Sequence, residues 1–403
     1  MPRGKGLIGT TGLTASFLIS TYISLTTPSY AQALEEQTAE VLPDTAEKTI
    51  EDVLTDKQMD TLRTDTSTNE NPDAVRRAER QADIEVGITP ERAPWEFDLY
   101  GSVRLHGINH FDAESDSRSF ELGDGESRLG ASLDWLFAKE WHLFARVEAG
   151  FDVLDTFTAG SGDDEGGIFV PRLHKIGIDS NHYSLSYGKS WSTYYTVAGA
   201  ADRFAIFGGE AVGLYNADTD GGATGTGRAD NAVQGEIFLD FSPWLPLKPF
   251  NLNVQYQHGE PIPKVNNAHY GSVWSVSTWL EGSNSLGIGI AHHQANIDDN
   301  LSLNLREAGI DGDATTTAIA VKTSGDRWLV SLVVNTMDNL ETTDQNKYIN
   351  GRGSELFAQW EYVNNWWLVG GGNWLLPDED DPDAGEYELK YGVVGLRYTF
   401  DAF

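Results

Sequence analysis

The chain has 403 residues, 28 Lys plus Arg against 61 Asp plus Glu, a formal net charge of −33, 42 glycines and no cysteine. The missing cysteine excludes a disulfide scaffold and thiolate metal sites, and the acid excess argues against a nucleic-acid partner, whose phosphates need Lys and Arg. The length suits two soluble domains or one large barrel.

Residues 1–33 read as an export signal: Arg3 and Lys5 give a positive start, and a mostly apolar stretch runs from Leu7 to Leu25. Ser29-Tyr30-Ala31 and Ala31-Gln32-Ala33 then offer small residues for cleavage. A permanent anchor is the competing reading, but a spanning helix needs about 20 apolar residues without this much Ser and Thr. No later segment is apolar for long enough to cross a membrane as a helix, so an exported chain of this kind is soluble or a membrane β-barrel.

Residues 34–94 are polar and hold no aromatic residue. Ile50, Val53, Leu54 and Leu62 suggest one weak amphipathic helix. The segment reads as a largely disordered linker, with a periplasmic contact arm as the alternative.

From Trp95 to Phe403 the texture changes, and all 12 Trp lie here. Runs of roughly ten residues alternate apolar with polar or small side chains. Leu286, Ile288 and Ile290 alternate with Gly287, Gly289 and Ala291. Trp328, Val330, Leu332 and Val334 share one face of another run. Such period-two segments are strands with one apolar and one polar face. Leu129, Ala131 and Leu133 leave Arg128, Gly130 and Ser132 on the other face; Leu143, Ala145 and Val147 likewise oppose Arg146 and Glu148. Arg104 is placed inward less cleanly by its neighbours.

The turns alternate in size. Short ones fall at Ala138-Lys139-Glu140, Ser180-Asn181-His182, Gly282-Ser283-Asn284, Ser324-Gly325-Asp326 and Asn364-Asn365. Long acidic ones are expected from Asp112 to Glu126, Leu154 to Phe169, Ala295 to Ala314, Met337 to Gly353 and Pro377 to Glu386. That sorting fits a membrane barrel with short periplasmic turns and long outer loops. Trp95, Trp141, Trp244, Trp366, Trp367 and Trp374 stand near strand ends, placed for interfacial girdles. Direct counting gives about 14 strands.

Other features read blandly. His292-His293 point to opposite faces of a strand and do not make a metal site. Asp378 to Asp383 is dense in hard oxygen ligands but misses the Ca²⁺-loop spacing. Gly370-Gly371-Gly372 sits mid-strand, where glycine permits curvature or close packing. No His, Ser and Asp set nominates itself for hydrolysis.

Several spaced motifs together resemble the Gram-negative general diffusion porins over about residues 95–403. They are Asp98-Leu99-Tyr100-Gly101, Ser127-Arg128-Leu129-Gly130, Tyr187-Gly188-Lys189-Ser190-Trp191 leading to Phe207-Gly208-Gly209, the stretch Thr226 to Val233, and the ending Gly392 to Phe400. The resemblance implies an all-β fold, an antiparallel transmembrane β-barrel of 16 strands. Against the direct count, either a hairpin lies unseen between Ala295 and Ala314 or this barrel is smaller.

The resemblance also implies that the third loop, about Ser192 to Gly227, folds into the pore and narrows it. Asp202 and Glu210 on that loop would face Arg128, Arg172 and Arg228, with Arg146 and Arg104 completing the basic wall. Where the family has Pro-Glu-Phe-Gly-Gly this chain reads Ala205-Ile206-Phe207-Gly208-Gly209, so Ile206 replaces an acidic residue. The implied protein is an outer-membrane porin without catalytic residues, metal or cofactor. It would pass ions and small hydrophilic solutes, sit in a lipid bilayer with lipopolysaccharide, and assemble as a homotrimer, with no nucleic-acid partner. A substrate-specific channel is the alternative, and a barrel hydrolase a remote one. The acidic loops favour cations at the pore mouth, while Ile206 works against that preference.

Overall fold

The computed structural model describes residues 19–26, 95–112, 117–154, 169–204, 207–239, 250–282, 285–297, 303–343, 345–378 and 389–401. About two thirds of them, 68%, are strand. The strands are β1 (Ile19–Thr26), β2 (Trp95–Asp112), β3 (Ser117–Asp124), β4 (Arg128–Ala138), β5 (Trp141–Gly150), β6 (Val170–Asp179), β7 (Tyr183–Trp191) and β8 (Arg228–Leu239). They continue as β9 (Phe250–His258), β10 (Ser272–Glu281), β11 (Leu286–Ala295), β12 (Ala314–Gly325), β13 (Trp328–Thr342), β14 (Tyr348–Val363), β15 (Trp366–Pro377) and β16 (Leu389–Asp401).

From β2 to β16 the fifteen strands form one antiparallel sheet that follows chain order except at its start, where β2 lies between β4 and β3. β2 pairs with β4 through Trp95–Ser102 and with β3 through Leu105–Asp112, so β3 and β4 lie end to end along it. β16 and β2 do not pair directly. β1 lies between them, parallel to β16 and antiparallel to β2. The sheet therefore reaches the 16 strands of the resemblance only by including β1, and the β2–β16 set is not closed on itself. No hairpin stands between β11 and β12 among the described residues; a short helix, α1 (Leu303–Glu307), occupies that connection.

Two of the expected long loops are largely strand. β2 runs on to Asp112 and β3 starts at Ser117, and β13 and β14 are separated only by residues 343–347. Phe120 and Leu122, both largely exposed, keep the period-two alternation inside a stretch whose acids and serines suggested a loop. The loops at residues 155–168 and 379–388 lie outside the described residues, as do the expected signal sites and residues 34–94.

The side chains are arranged inside out relative to a soluble protein. On β11, Leu286, Ile288 and Ile290 are 40%, 51% and 50% exposed, while Gly287, Gly289 and Ala291 are buried. On β13, Trp328, Val330, Leu332 and Val334 point outward and Leu329, Ser331, Val333 and Asn335 are buried. Arg104, Arg146, Glu148, Arg172, Gln255, Thr316 and Glu355 are buried on the inner face. Apolar side chains outward and polar ones inward is the pattern lipid imposes on a barrel, since no strand edge or charge is satisfied by hydrocarbon. Trp95, Trp135, Trp141, Trp328 and Trp360 are exposed beside the short turns and form one girdle. Trp367 is not part of it: it is buried, with the Arg397 guanidinium 5.7 Å from its ring. Trp244 lies outside the described residues.

Candidate functional site

The chain between β7 and β8, from Ser192 to Gly227, is the longest described connection and folds against the inner wall. It begins with a helical turn at Tyr195–Ala198, whose entry is fixed by the Ser192 hydroxyl accepting the Tyr195 N–H at 2.8 Å. Gly208, Gly209, Gly213, Gly221 and Gly225 take positive φ, which lets the loop turn repeatedly without Cβ strain.

The loop's seat is polar and well defined. Gly209 N–H donates to the Glu355 carboxylate at 2.9 Å, and Ala217 N–H to Glu341 at 2.9 Å. Ser331 Oγ donates to Ala200 O at 2.7 Å, Trp279 Nε1 to Thr196 O at 2.7 Å, and Gln255 Nε2 to Gly225 O at 3.0 Å. The wall acceptors and donors belong to β9, β10, β13 and β14, on their inward faces. Tyr194, Val197, Val212 and Leu214 bury themselves in the same contact, and Phe204 meets Phe357 edge-on at 4.8 Å. Two wall glycines make room: a Cβ on Gly353 would overlap Ala211 O, and one on Gly371 would meet Leu356 O and the Phe204 ring. The loop is thus inside the barrel, fixed to one half of its wall.

The other half carries the arginines. Arg128 faces inward from the start of β4, as its alternation predicts. Arg104 is buried on β2, with its backbone N–H bonded to Ser127 Oγ at 2.9 Å and its Nε to Ser102 Oγ at 3.2 Å. Arg146 is buried on β5, its guanidinium 5.7 Å from the Tyr100 ring. Arg172 reaches the inside by a different device. On β6, Pro171 pairs with Ala149 and Leu173 with Glu148, so Arg172 is the extra residue of a bulge. Simple alternation would put it on the lipid face with Ile176 and Ile178. The bulge re-aims it.

Between β3 and β4 the chain breaks at residues 125–127, and Glu126 takes a positive φ of 65° there. Asp124 holds the break, accepting from Ser127 N–H and Ser127 Oγ at 2.6 Å each and from Val153 N–H at 3.1 Å. The result aims Glu126 at the arginines: it meets Arg172 at 2.8 Å and Arg228 at 3.1 Å. Burial pushes its carboxyl up, but Arg172 and Arg228 outweigh this and hold it below the usual carboxylate range. Arg172 is further bonded to Glu148 at 3.0 Å.

Arg228 connects the two halves. Its guanidinium lies 5.4 Å from the Trp191 ring, and Trp191 stacks on Tyr195 at 4.0 Å. The Tyr195 hydroxyl donates to Asp202 at 3.2 Å and the Tyr215 hydroxyl donates to it at 2.7 Å. Burial raises the Asp202 carboxyl above its ordinary range, against the opposing effect of those two bonds. Lys189 pairs with Asp220 at 2.8 Å and Asp230 at 2.7 Å, tying the loop's return to β7 and β8.

Of the residues expected at the site, Arg104, Arg128, Arg146, Arg172, Arg228 and Asp202 therefore share one electrostatic neighbourhood. Glu210 is exposed and does not face the wall arginines as expected: the charged groups near it are Asp218, Glu341 and Glu355. Ile206 lies outside the described residues. Glu126, Glu341, Glu355, Tyr195 and Tyr215 were not anticipated. His292 and His293 do point apart, to Thr317 Oγ1 at 2.9 Å and Ser275 Oγ at 3.3 Å.

A sheet with lipid-type alternation, an internal loop and an inward arginine wall has a family counterpart. The family model described as Gram-negative porin matches residues 80–391. This chain belongs to that family. The porin therefore resides in the outer membrane. Its fold is similar to Salmonella typhi OmpF in complex with daunomycin, at 18% identity and a TM-score of 0.60, covering 76% of this chain and 87% of that one. It is also similar to an anion-selective porin from Comamonas acidovorans, at 15% identity and a TM-score of 0.52, covering 71% and 80%. At these identities the likeness concerns fold. No curated protein matches the porin's sequence.

Proposed function

We propose that this porin is a passive diffusion channel for ions and small hydrophilic solutes, narrowed where the Ser192–Gly227 loop faces Arg128, Arg172 and Arg228. The carrying observation is the loop's attachment: its backbone donates to Glu355 and Glu341 on the inner wall, 146 and 124 residues away in sequence. A loop held by buried carboxylates on one side leaves the arginines of β2, β4, β5 and β6 on the other. Fixed charge on facing walls orients water and polar solutes, and apolar molecules lose hydration there without compensation.

The family and fold point to a channel rather than an enzyme. We also assign a homotrimer, packed through the outer face of the early strands, where Gly101 and Ala131 keep the wall low. Residues 1–33 act as a removable signal, and residues 34–94 as a polar periplasmic segment. Pairing supports the signal assignment: β1 forms the one parallel pair among the described strands and stands between β2 and β16, which run antiparallel to each other.

Planar-bilayer recording of the purified porin tests this reading. Stable ohmic channels that close in three equal steps are expected, with a large species on unheated gels. A protein that binds membranes but never conducts defeats it.

A further inference from the structure

We infer that the porin carries a saccharide-binding platform on the periplasmic side of the loop, formed by the Trp279 indole with Glu281, Lys322, Asn253 and Glu236 around it. This deepens the channel reading above and rests on it. Trp279 shares the inner face of β10 with Ser275 and Ser277, both buried, and stands two residues before the strand ends in a short turn. Its indole N–H donates to Thr196 O of the loop at 2.7 Å, which fixes the ring's orientation. The ring lies flat on the wall because its cross-strand partner is Gly289 of β11, where a Cβ would stand 2.8 Å from the two carbons of the indole fusion bond. Ala320 of β12, paired to Gly289 and buried, keeps the floor low beyond it. One face of the indole is thus against the wall. The ring is nevertheless only partly buried, and the open surface of an inward residue looks into the lumen.

Hydrogen-bonding groups frame this face. One row nearer the periplasmic end, Lys322 and Glu281 meet across Gly287 at 2.8 Å, their side chains 30% and 28% exposed. The Lys322 ammonium is 5.0 Å from the indole ring centroid. On the other flank, Asn253 of β9 pairs with Ser277 and with Glu236 of β8, and Asn251 donates to Glu236 at 2.5 Å. The Thr196 and Ser277 hydroxyls share a hydrogen bond at 2.7 Å, so loop and platform form one unit beside the narrowing.

That arrangement fits a pyranose. Its C–H face packs on the indole, and its hydroxyls, each both donor and acceptor, reach outward to the carboxylates, amides and ammonium at the rim. Charged occupants suit it less well. An organic cation over the ring would meet Lys322, which already takes the cation's position there. An anion would meet Glu281 on one flank and Glu236 on the other.

The test records the purified porin in planar bilayers in molar KCl, with maltotriose as the probe and a polyethylene glycol of similar size as the volume control. A held sugar obstructs the path, so maltotriose is expected to lower the current with saturation in the millimolar range, whereas the polymer lowers it linearly. Trp279→Ala weakens the maltotriose block about fivefold or more, the fold-change of one lost aromatic contact. Trp279→Phe loses the same bond to Thr196 but keeps an aromatic face, and it retains most of the block. The pair therefore separates stacking from any loosening of the loop. Block that is linear like the polymer's, that is the same in wild type and Trp279→Ala, or that falls equally in the Ala and Phe variants overturns the inference and leaves the channel intact. Absence of any conductance overturns the channel reading and the inference together.

Discussion

The Glu355 carboxylate on β14 receives the backbone N–H of Gly209, so the loop that enters the barrel is fastened to the wall by its own main chain. Gly209 has a φ of 81°, and a Cβ there would meet the Tyr215 ring, so the donor's position is set by a residue that only glycine replaces easily. Glu355→Ala leaves that buried N–H without an acceptor, at a cost of roughly 1–3 kcal/mol to the seated loop. The expected outcome is a larger and noisier single-channel conductance with an unchanged strand signal by circular dichroism. Wild-type conductance and noise would show that the loop is held elsewhere.

Asp202 gives a pH dependence whose sign is fixed. Burial raises its carboxyl, so on acidification it takes up a proton before an ordinary exposed aspartate does. Losing that negative charge, next to Arg228 and Glu126, shifts the pore toward anions as pH falls from neutral. For stability the same shift means that the ionised form is the costly one in the folded state. The contribution is present at low pH and is lost as pH rises through the folded value. Asp202→Asn is accordingly expected to remove the pH shift in reversal potential and to leave thermal stability at neutral pH unchanged or slightly raised. A pH response that survives in Asp202→Asn belongs to another group.

Strand identity and facing were legible because lipid enforces a period of two with few exceptions. The outward set Leu286, Ile288 and Ile290 and the inward Arg128, Arg146 and Glu148 follow from counting alone. Arg172 did not, because a bulge inserts one residue and reverses the count. Only the family resemblance placed it. Glu126 was hidden for a related reason. It sits in a three-residue break with left-handed backbone, and acidic neighbours made the whole stretch look like a solvated loop. Glu341 and Glu355 are single carboxylates on strands, and nothing local distinguishes an anchor for a loop more than 120 residues away from an ordinary pore-lining acid.

The lipid face makes a quantitative prediction. Ile290 lies mid-strand on β11, pairs with Thr278 and Ile319, and is half exposed to the outside. Ile290→Arg is expected to cost about 2–4 kcal/mol in reversible folding into lipid vesicles, the depth-dependent cost of arginine near the bilayer midplane. Ile290→Val, which removes one methylene from a lipid contact, costs about 1 kcal/mol or less. Equal stabilities for the Arg and Val variants would mean that this face looks onto water or protein.

Closure of the barrel supplies the last prediction. β1 pairs Thr21 with Leu105 of β2 on one side and with Tyr398 of β16 on the other. A strand parallel to one neighbour and antiparallel to the next is foreign to a sheet in which every other pairing among the described strands is antiparallel. Removing residues 1–33 takes β1 away and leaves two antiparallel edges of matching direction, each with unpaired N–H and C=O groups that lipid does not satisfy. Those groups pair most simply with each other. Leu105 and Tyr398, now opposite the same residue of β1, then become neighbours. Because the chain has no native cysteine, Leu105→Cys with Tyr398→Cys reports cleanly. A disulfide requires Cα atoms about 4.4–6.8 Å apart, the separation of adjacent strands and not of strands with a third between them. Protein isolated from outer membranes is expected to begin after Ala31 or Ala33 and to form this cross-link on mild oxidation. Mature protein that retains Ile19–Thr26, or a cysteine pair that stays reduced in folded barrels, would show that β1 is a permanent stave of the wall.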